Sequence, residues 1–133
     1  MRIYGLALPA LAAAVLATSG ALAAPSGEPS AATRASAVAV VEQFFKTINA
    51  RQFAKTCNLM SVRFFRENHV PDKRACALGL AAVFTMYPTI SFRITGVSTD
   101  GELTVVRTVA NGAPGRITLL REGGSLKIVS VKG

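Results

Sequence analysis

Apolar residues recur every three or four positions through the first half of the chain, a spacing that predicts three amphipathic helices. The first helix begins at Thr33 and runs for about four turns. The second covers Gln52–Arg66, with Ser61 as a candidate break, and the third begins near Pro71 and ends before Pro88. The apolar stripes consist of Val38, Val41, Phe45 and Ile48; Phe53, Cys57, Met60 and Phe64; and Cys76, Leu80, Val83, Phe84 and Tyr87.

After Pro88 the apolar period becomes two, which is typical of β-strands with one buried face. Three segments rich in turn-forming residues divide this half of the chain, at positions 99–101, 111–115 and 123–124. Four strands joined by short hairpins form an antiparallel meander. The sequence therefore predicts an α+β fold in which N-terminal helices pack on a curved four-stranded antiparallel sheet.

The register of two hairpins follows from assuming a two-residue turn at Thr99–Asp100 and another at Gly123–Gly124. The first turn places Gly96 opposite Leu103 and Phe92 opposite Arg107. The second places Arg121 opposite Leu126 and Leu119 opposite Ile128. Both assignments gather large apolar residues on one face of the sheet. They also place Arg107 on that apolar face, in the middle of a strand.

The same register leaves Val106, Leu120 and Val129 as a small apolar patch on the opposite face. A homodimer that pairs sheet to sheet through this patch is therefore a further expectation.

The N-terminus has the pattern of a secretory signal peptide. Arg2 supplies a positive start, an apolar run covers Leu6–Leu16, and Ala21–Ala23 has the small-x-small cleavage pattern. We expect a signal peptide at 1–23, a flexible leader at 24–32 and one domain at 33–133. The protein is then exported, to the periplasm or the extracellular space. The apolar run is too short for a membrane span.

The composition is basic, with 15 Lys and Arg against 7 Asp and Glu and a formal net charge of +8. Loss of Arg2 with the signal leaves about +7. A basic balance can indicate an anionic partner such as a cell-wall polymer or acidic lipid headgroups, but the preferred interpretation is the solvated surface of a small secreted protein. Only Lys73–Arg74 forms a basic pair, and no aromatic residues alternate with the cations. Nucleic acid is therefore not an expected partner.

The two cysteines, Cys57 and Cys76, fall on the apolar stripes of two neighbouring predicted helices. An exported chain with an even cysteine count favours a disulfide, and two buried free thiols are the alternative. With His69 as the only histidine, a closed tetrahedral zinc site would need carboxylates, so no metal is predicted.

Helices followed by a bent antiparallel meander, in about 110 residues, resemble the nuclear transport factor 2-like superfamily (cystatin-like, SnoaL and ketosteroid isomerase-type proteins). The segments that carry the resemblance are 40–45, 48–50, 54–60, Cys76 and the last strand, 126–131. The resemblance covers about Thr33–Gly133. It implies a cone with a pocket between the concave face of the sheet and the helices. The superfamily includes isomerases, cyclases, dehydratases and non-catalytic binders, so the fold does not choose among them.

An isomerase-type member is expected to carry an Asp or Glu in the pocket as general base. Here the acidic residues fall in turns, in the leader or on the polar side of a helix, as Glu42 does. No catalytic residue or cofactor is predicted, and His69 and Tyr87 remain the candidates for proton transfer.

Three functions stay open. The preferred one is an exported non-enzymatic module that binds an unknown small molecule or a partner protein. The alternatives are a small SnoaL-like isomerase or cyclase, and attachment to an anionic envelope polymer through basic surface. A deep pocket containing Glu67, His69 or Asp72 would favour the enzyme, and an apolar pocket would favour the binding module.

The predicted ligand-binding residues are Arg107, Arg121, Phe92 and Tyr87. A guanidinium on an apolar face needs a partner. Arg107, with Arg121 on the same face, is expected to hold a carboxylate or phosphate of an otherwise apolar ligand. The alternative is that Arg107 pairs with Glu42 or extends to the mouth of the cone.

Overall fold

The computed structural model describes residues 27–133 of the chain. The predicted signal peptide, and residues 24–26 of the predicted leader, lie outside this part. Four helices precede four strands, so the α+β class is confirmed. Their bounds are α1 Ala31–Asn49, α2 Phe53–Cys57, α3 Val62–Glu67, α4 Lys73–Phe84, β1 Phe92–Asp100, β2 Leu103–Ala110, β3 Ala113–Glu122 and β4 Ser125–Lys132. No helix between residues 27 and 133 is long and apolar enough to cross a membrane.

Short polar side chains set where the helices begin, because they accept hydrogen bonds from first-turn N–H groups that lack a helical partner. Ser30 caps α1, which starts two residues before Thr33. Ser61 accepts from the N–H of Phe64 at 2.9 Å and starts α3. The predicted helix Gln52–Arg66 is therefore two short helices that separate before Ser61. Asp72 caps α4 through the N–H of Ala75 at 2.8 Å.

The strands pair in the order β1-β2-β3-β4, and each pair is antiparallel, so the predicted meander is confirmed. The last hairpin has the predicted register, with Leu119 opposite Ile128 and Arg121 opposite Leu126. Gly123 and Gly124 both have positive φ, 60° and 85°, as a tight hairpin with a right-handed strand twist requires.

The predicted register of the first hairpin is wrong. Asp100 pairs with Leu103, so the turn residues are Gly101 and Glu102 rather than Thr99 and Asp100. Gly101 has φ of 63°, a left-handed conformation that glycine adopts without steric cost. A one-residue shift moves every side chain of the following strand to the other face.

The shift changes which side of β2 is buried. Thr104, Val106 and Thr108 face the helices and are at most 4% exposed, whereas Arg107 is exposed on the outer face. Because Val106 lies in the core, the predicted dimer patch does not form as expected. A bulge at Thr95, between Ile94 and Gly96, keeps Phe92 and Ile94 on the helix side of β1.

The core lies between α1 and the inner face of the sheet. Val41, Ile48, Val106, Leu119 and Ile128 have no exposed surface. The predicted disulfide is present: Cys57 in α2 is bonded to Cys76 in α4, with Cα atoms 6.1 Å apart. It fastens α4 against α2, the helix with which α4 makes its main contacts.

Each outer strand of the sheet pairs at one point with a segment from elsewhere in the chain. Gly27 and Thr99 of β1 exchange backbone hydrogen bonds of 3.0 and 2.8 Å. At the other edge, the Ile128 carbonyl accepts from Ser61 N–H at 2.9 Å, and Ile128 N–H donates to Leu59 at 2.8 Å. The segment between α2 and α3 therefore lies alongside β4.

Candidate functional site

An apolar cavity of about 470 Å³ opens at one end of the core. This volume is within the usual range for small-molecule sites. Its walls come from α1, from the segment after α4 and from the inner face of the sheet. The principal lining residues are Phe44, Phe45, Ile48, Phe84, Tyr87, Ile90, Thr108, Ala110, Ile117 and Val131.

Side chains at the end of α1 hold the segment that follows α4. The Asn49 amide donates to the Ile90 carbonyl at 3.0 Å, and its oxygen accepts from the Ile90 N–H at 2.8 Å. The Arg51 guanidinium donates to the Tyr87 carbonyl. These contacts place Tyr87 and Ile90 at the cavity, although neither lies in a helix or strand.

The turn between β2 and β3 is fastened in a similar way. Asn111, which has φ of 50°, accepts from the Ser91 N–H through its side chain at 2.9 Å. Its own backbone N–H donates to the Ser91 carbonyl at 2.8 Å. Asn111 and the neighbouring Ala113 and Pro114 line the mouth of the cavity, so these two hydrogen bonds fix part of the rim.

Thr108 is the buried polar group of the cavity. The residue is 4% exposed and lines the cavity wall. Its hydroxyl makes no hydrogen bond with any other group in residues 27–133. A hydroxyl removed from water without a partner is energetically costly. A ligand with a hydrogen-bonding group next to Thr108 would satisfy it.

The other polar groups are at the rim. Tyr87 is 54% exposed, with its ring centroid 5.6 Å from that of Phe84. Lys132 is the basic residue among those that line the cavity. None of the described residues lining it is Asp, Glu or His. The cavity therefore offers apolar walls, a buried hydroxyl and a cation, but no carboxylate or imidazole for proton transfer.

The predicted ligand-binding residues are only partly brought together. Tyr87 lines the cavity. Phe92 lies behind the wall, stacked on Phe45 with ring centroids 4.3 Å apart. Arg121 is exposed near the last hairpin and donates to the Gly124 carbonyl at 3.4 Å.

Arg107 is the main correction. It lies on the outer face of the sheet, where its guanidinium donates to the Ser98 hydroxyl at 3.2 Å. It pairs in register with Gly96 on one side and Arg116 on the other, and not with Phe92 as predicted. The first hairpin turns one residue later than expected, so Arg107 points away from the helices and does not line the apolar cavity.

Sequence reasoning missed Thr108 and Asn49. Thr108 was assigned to the solvent face because its neighbours Val105 and Val109 look like core residues. The glycine at 101, a preferred residue for a tight turn, was the signal for the other register. Asn49 gives no comparable signal, because its partner Ile90 is 41 residues away.

Within residues 27–133 no three His, Cys, Asp or Glu side chains are grouped as a metal site requires. Comparison with protein-family models, with characterised proteins and with solved structures finds no match to this chain.

Proposed function

We propose that this chain is an exported binding module whose apolar cavity takes a small amphiphile, with the polar group of the ligand near Thr108 and the rim. The observation that carries the proposal is the otherwise apolar cavity of about 470 Å³, which has the Thr108 hydroxyl in its wall and Lys132 at its rim. Buried polar groups normally have a partner, and a bound ligand would supply one.

The charge at the rim favours an anionic amphiphile over a neutral or cationic one. Lys132 lines the cavity, and no acidic residue does so among the described residues. A long-chain carboxylate would place its hydrocarbon against Phe44, Phe84 and Ile117. Its head would then lie within reach of a hydroxyl and of a positive potential.

A binding role is also favoured over isomerase-type catalysis. Glu67, His69 and Asp72, the groups that would have indicated an enzyme, are not among the residues that line the cavity. General acid–base catalysis needs a titratable group within hydrogen-bond reach of the substrate. The α+β meander with a cavity between helices and sheet is consistent with a nuclear transport factor 2-like protein, and we include that family in the proposal.

Export is part of the same proposal. The disulfide between Cys57 and Cys76 suits an oxidising compartment, and the N-terminal sequence has the features of a signal peptide. Mass spectrometry of protein recovered from outside the cytoplasm should give a chain that starts near Ala24 and has no thiol open to alkylation. A retained N-terminus or two free thiols would contradict export.

Two threonines on one strand provide a matched test of the cavity. Thr104 and Thr108 both face the core, both are 4% exposed, and neither hydroxyl has a hydrogen-bond partner in residues 27–133. Only Thr108 lines the cavity. Replacement of either by Val keeps the shape and removes the hydroxyl.

We expect the Thr108→Val protein to bind dodecanoate about fivefold more weakly than wild type, because one hydrogen bond is lost. Thr104→Val should bind as wild type does, and both variants should be at least as stable. Isothermal titration calorimetry with dodecanoate, dodecanol and dodecyltrimethylammonium measures affinity and headgroup preference. Equal binding by the two variants, or no binding of any probe by wild type, would refute the cavity proposal.

A further inference from the structure

Three cations lie in one row across the outer face of the sheet. Arg107 of β2 is directly opposite Arg116 of β3, which is directly opposite Lys132 of β4. We call these three residues the basic row. Directly opposed residues on neighbouring antiparallel strands have Cβ atoms only about 4.5–5.5 Å apart.

This arrangement opposes folding. Like charges placed directly opposite each other on a sheet are destabilising. Arg34 pairs with Glu28 and Arg63 pairs with Glu67, and neither ion pair includes a residue of the basic row. Asp100 is on the same face of the sheet but two rows away, in register with Leu103. Like-charge repulsion of this kind is relieved when an anion binds between the cations, so it is expected at an anion-binding site.

The first member of the row is held in place. The Arg107 guanidinium lies over Gly96, where a Cβ atom would be only 2.5 Å from Nη2. It also donates to the Ser98 hydroxyl at 3.2 Å. Glycine at 96 thus makes room for the guanidinium against β1. A guanidinium has five N–H donors, so most of those on Arg107 remain open to a ligand.

Two shallow depressions lie beside the row, the first mainly apolar and the second mainly polar. One depression of about 370 Å³ is lined by Arg107, Arg116 and Lys132 together with Pro114, Gly115 and Gly133. A second, of about 510 Å³, shares Arg116 and Lys132 and adds the hydroxyl residues Thr118 and Ser130. Its far side also has the carboxylates of Glu67 and Asp100, so the polyanion is expected to follow the side of the row next to Arg107. Neither is lined by an aromatic residue on which bases could stack, so the surface suits a flexible anionic chain better than nucleic acid.

The shape of the row indicates a chain rather than a single anion. Neighbouring strands are about 4.8 Å apart, so the three backbone positions extend along a line of roughly 10 Å. Groups that bind one phosphate converge on a point, whereas these three spread along a line. Two guanidiniums side by side match successive phosphate or carboxylate groups, each of which accepts paired hydrogen bonds.

We propose that the basic row binds a linear polyanion with repeated phosphate or carboxylate groups. This site adjoins the apolar cavity, because Lys132 lines both, but Arg107 and Arg116 line only the outer-face depressions. The protein would therefore hold an amphiphile on one side of the sheet while it is bound to an anionic polymer on the other.

The test compares an Arg107→Gln/Arg116→Gln double variant with wild type. Long-chain inorganic polyphosphate and polygalacturonate are the two probes, and affinity is measured by biolayer interferometry at low salt. We expect wild type to bind at least one of them and the double variant to bind it at least about tenfold more weakly, since two charge-assisted contacts are lost. Binding of one probe alone identifies phosphate or carboxylate as the recognised group.

Two controls distinguish binding at the basic row from non-specific attraction to the positive charge of the whole protein. Lys46→Gln removes a cation from the exposed side of α1. We expect its polyanion affinity to remain within about twofold of wild type, because Lys46 is on the helix that covers the inner face and is not in the basic row. The double variant should also bind dodecanoate as wild type does, because neither substituted residue lines the cavity. A failure of the polyanion proposal can then be told apart from a failure of the cavity proposal.

Several results would overturn the proposal. One is equal weakening by the Lys46 variant, and another is unchanged affinity in the double variant. A third is orthophosphate competing as well as polyphosphate at equal phosphate concentration, which indicates a single-anion site. Binding to vesicles of anionic phospholipid without binding to either polymer would likewise show that the row recognises a membrane surface instead.

Discussion

The two faces of the sheet are built from the same strands, yet they treat polar groups in opposite ways. On the inner face, Ile117, Leu119 and Ile128 are at most 1% exposed under α1, and Thr108 is buried beside them. On the outer face, Arg107 and Arg116 alternate with these residues and remain exposed. Adjacent residues of one strand therefore face opposite environments: one side chain points into the apolar core and the next is on the charged, solvent-exposed surface.

The comparison shows how much depends on a single turn. Because side chains alternate, the identity of the inner face of β2 is set by one residue at the first hairpin. With the turn at Gly101, threonines enter the core and arginine leaves it. The two proposed sites, the apolar cavity and the basic row, both follow from that register.

The largest expected effect is a loss of stability on truncation of a core leucine, compared with truncation of the next residue on the other face. Leu119 has no exposed surface on the inner face, whereas Leu120 is half-buried on the outer face. Leu119→Ala should lower the free energy of unfolding by about 4 kcal/mol, since it leaves a cavity in the core. Leu120→Ala should lower it by less than about 1.5 kcal/mol, because Leu120 is already partly exposed and water fills the space that its side chain leaves. Urea unfolding measures both, and similar losses would contradict the assignment of faces.

Removal of the disulfide should lower the stability of the domain without changing the outer face of the sheet. Cys57→Ala/Cys76→Ala should lower the free energy of unfolding by about 3 kcal/mol, because the closed loop no longer restricts the unfolded chain. The outer face should keep its polyanion affinity in conditions where the variant is folded. Urea unfolding of wild type with and without reductant is the matched measurement, and no difference between the two would argue against a stabilising role.

The smallest effect concerns the basic row and has the opposite sign. Arg116→Thr removes like-charge contacts with Arg107 and Lys132. It should raise the free energy of unfolding by roughly 0.5 kcal/mol at low salt. Arg93→Thr is the control, because Arg93 is exposed on the same face and lies opposite Val109 rather than a cation. A gain of the same size in both variants would point to strand propensity instead of charge.

Much of the fold was predictable because local signals agreed with one another. Helical spacing with a candidate break at Ser61, the hairpin at Gly123–Gly124 and the cysteine pair all led to the observed elements. These features depend on residues close in sequence, or on two thiols that lie on predicted apolar stripes. No larger context was needed.

The register of the first hairpin was not predictable in the same way, because β2 has apolar residues on both faces. Leu103, Val105 and Val109 suggested one inner face, while the buried face carries Thr104, Val106 and Thr108. Leu103 and Val105 line a depression together with residues of α3, so they are half-covered without being in the core. Only the three-dimensional placement of α3 explains why they tolerate the outer face.

The candidate site shows the same limit. Tyr87 was recognised from the end of its helix pattern, but the contact between Asn49 and Ile90 that positions its segment joins parts of the chain 41 residues apart. The basic row was hidden for a similar reason. Arg107, Arg116 and Lys132 are far apart in sequence, and only the register brings them into line.

The pairing of both sheet edges has a consequence for how molecules of this protein meet one another. An open edge strand is a template on which a strand from another molecule can add, the first step of fibrillar aggregation. Here Gly27 occupies one edge at Thr99, and the segment around Met60 occupies the other at Ile128. A foreign strand that adds at either of these points must first displace the chain's own segment. A protein that starts beyond Gly27 would lose this protection at Thr99, so the few residues before α1 oppose fibre growth at that end of β1 although they contribute little to the core.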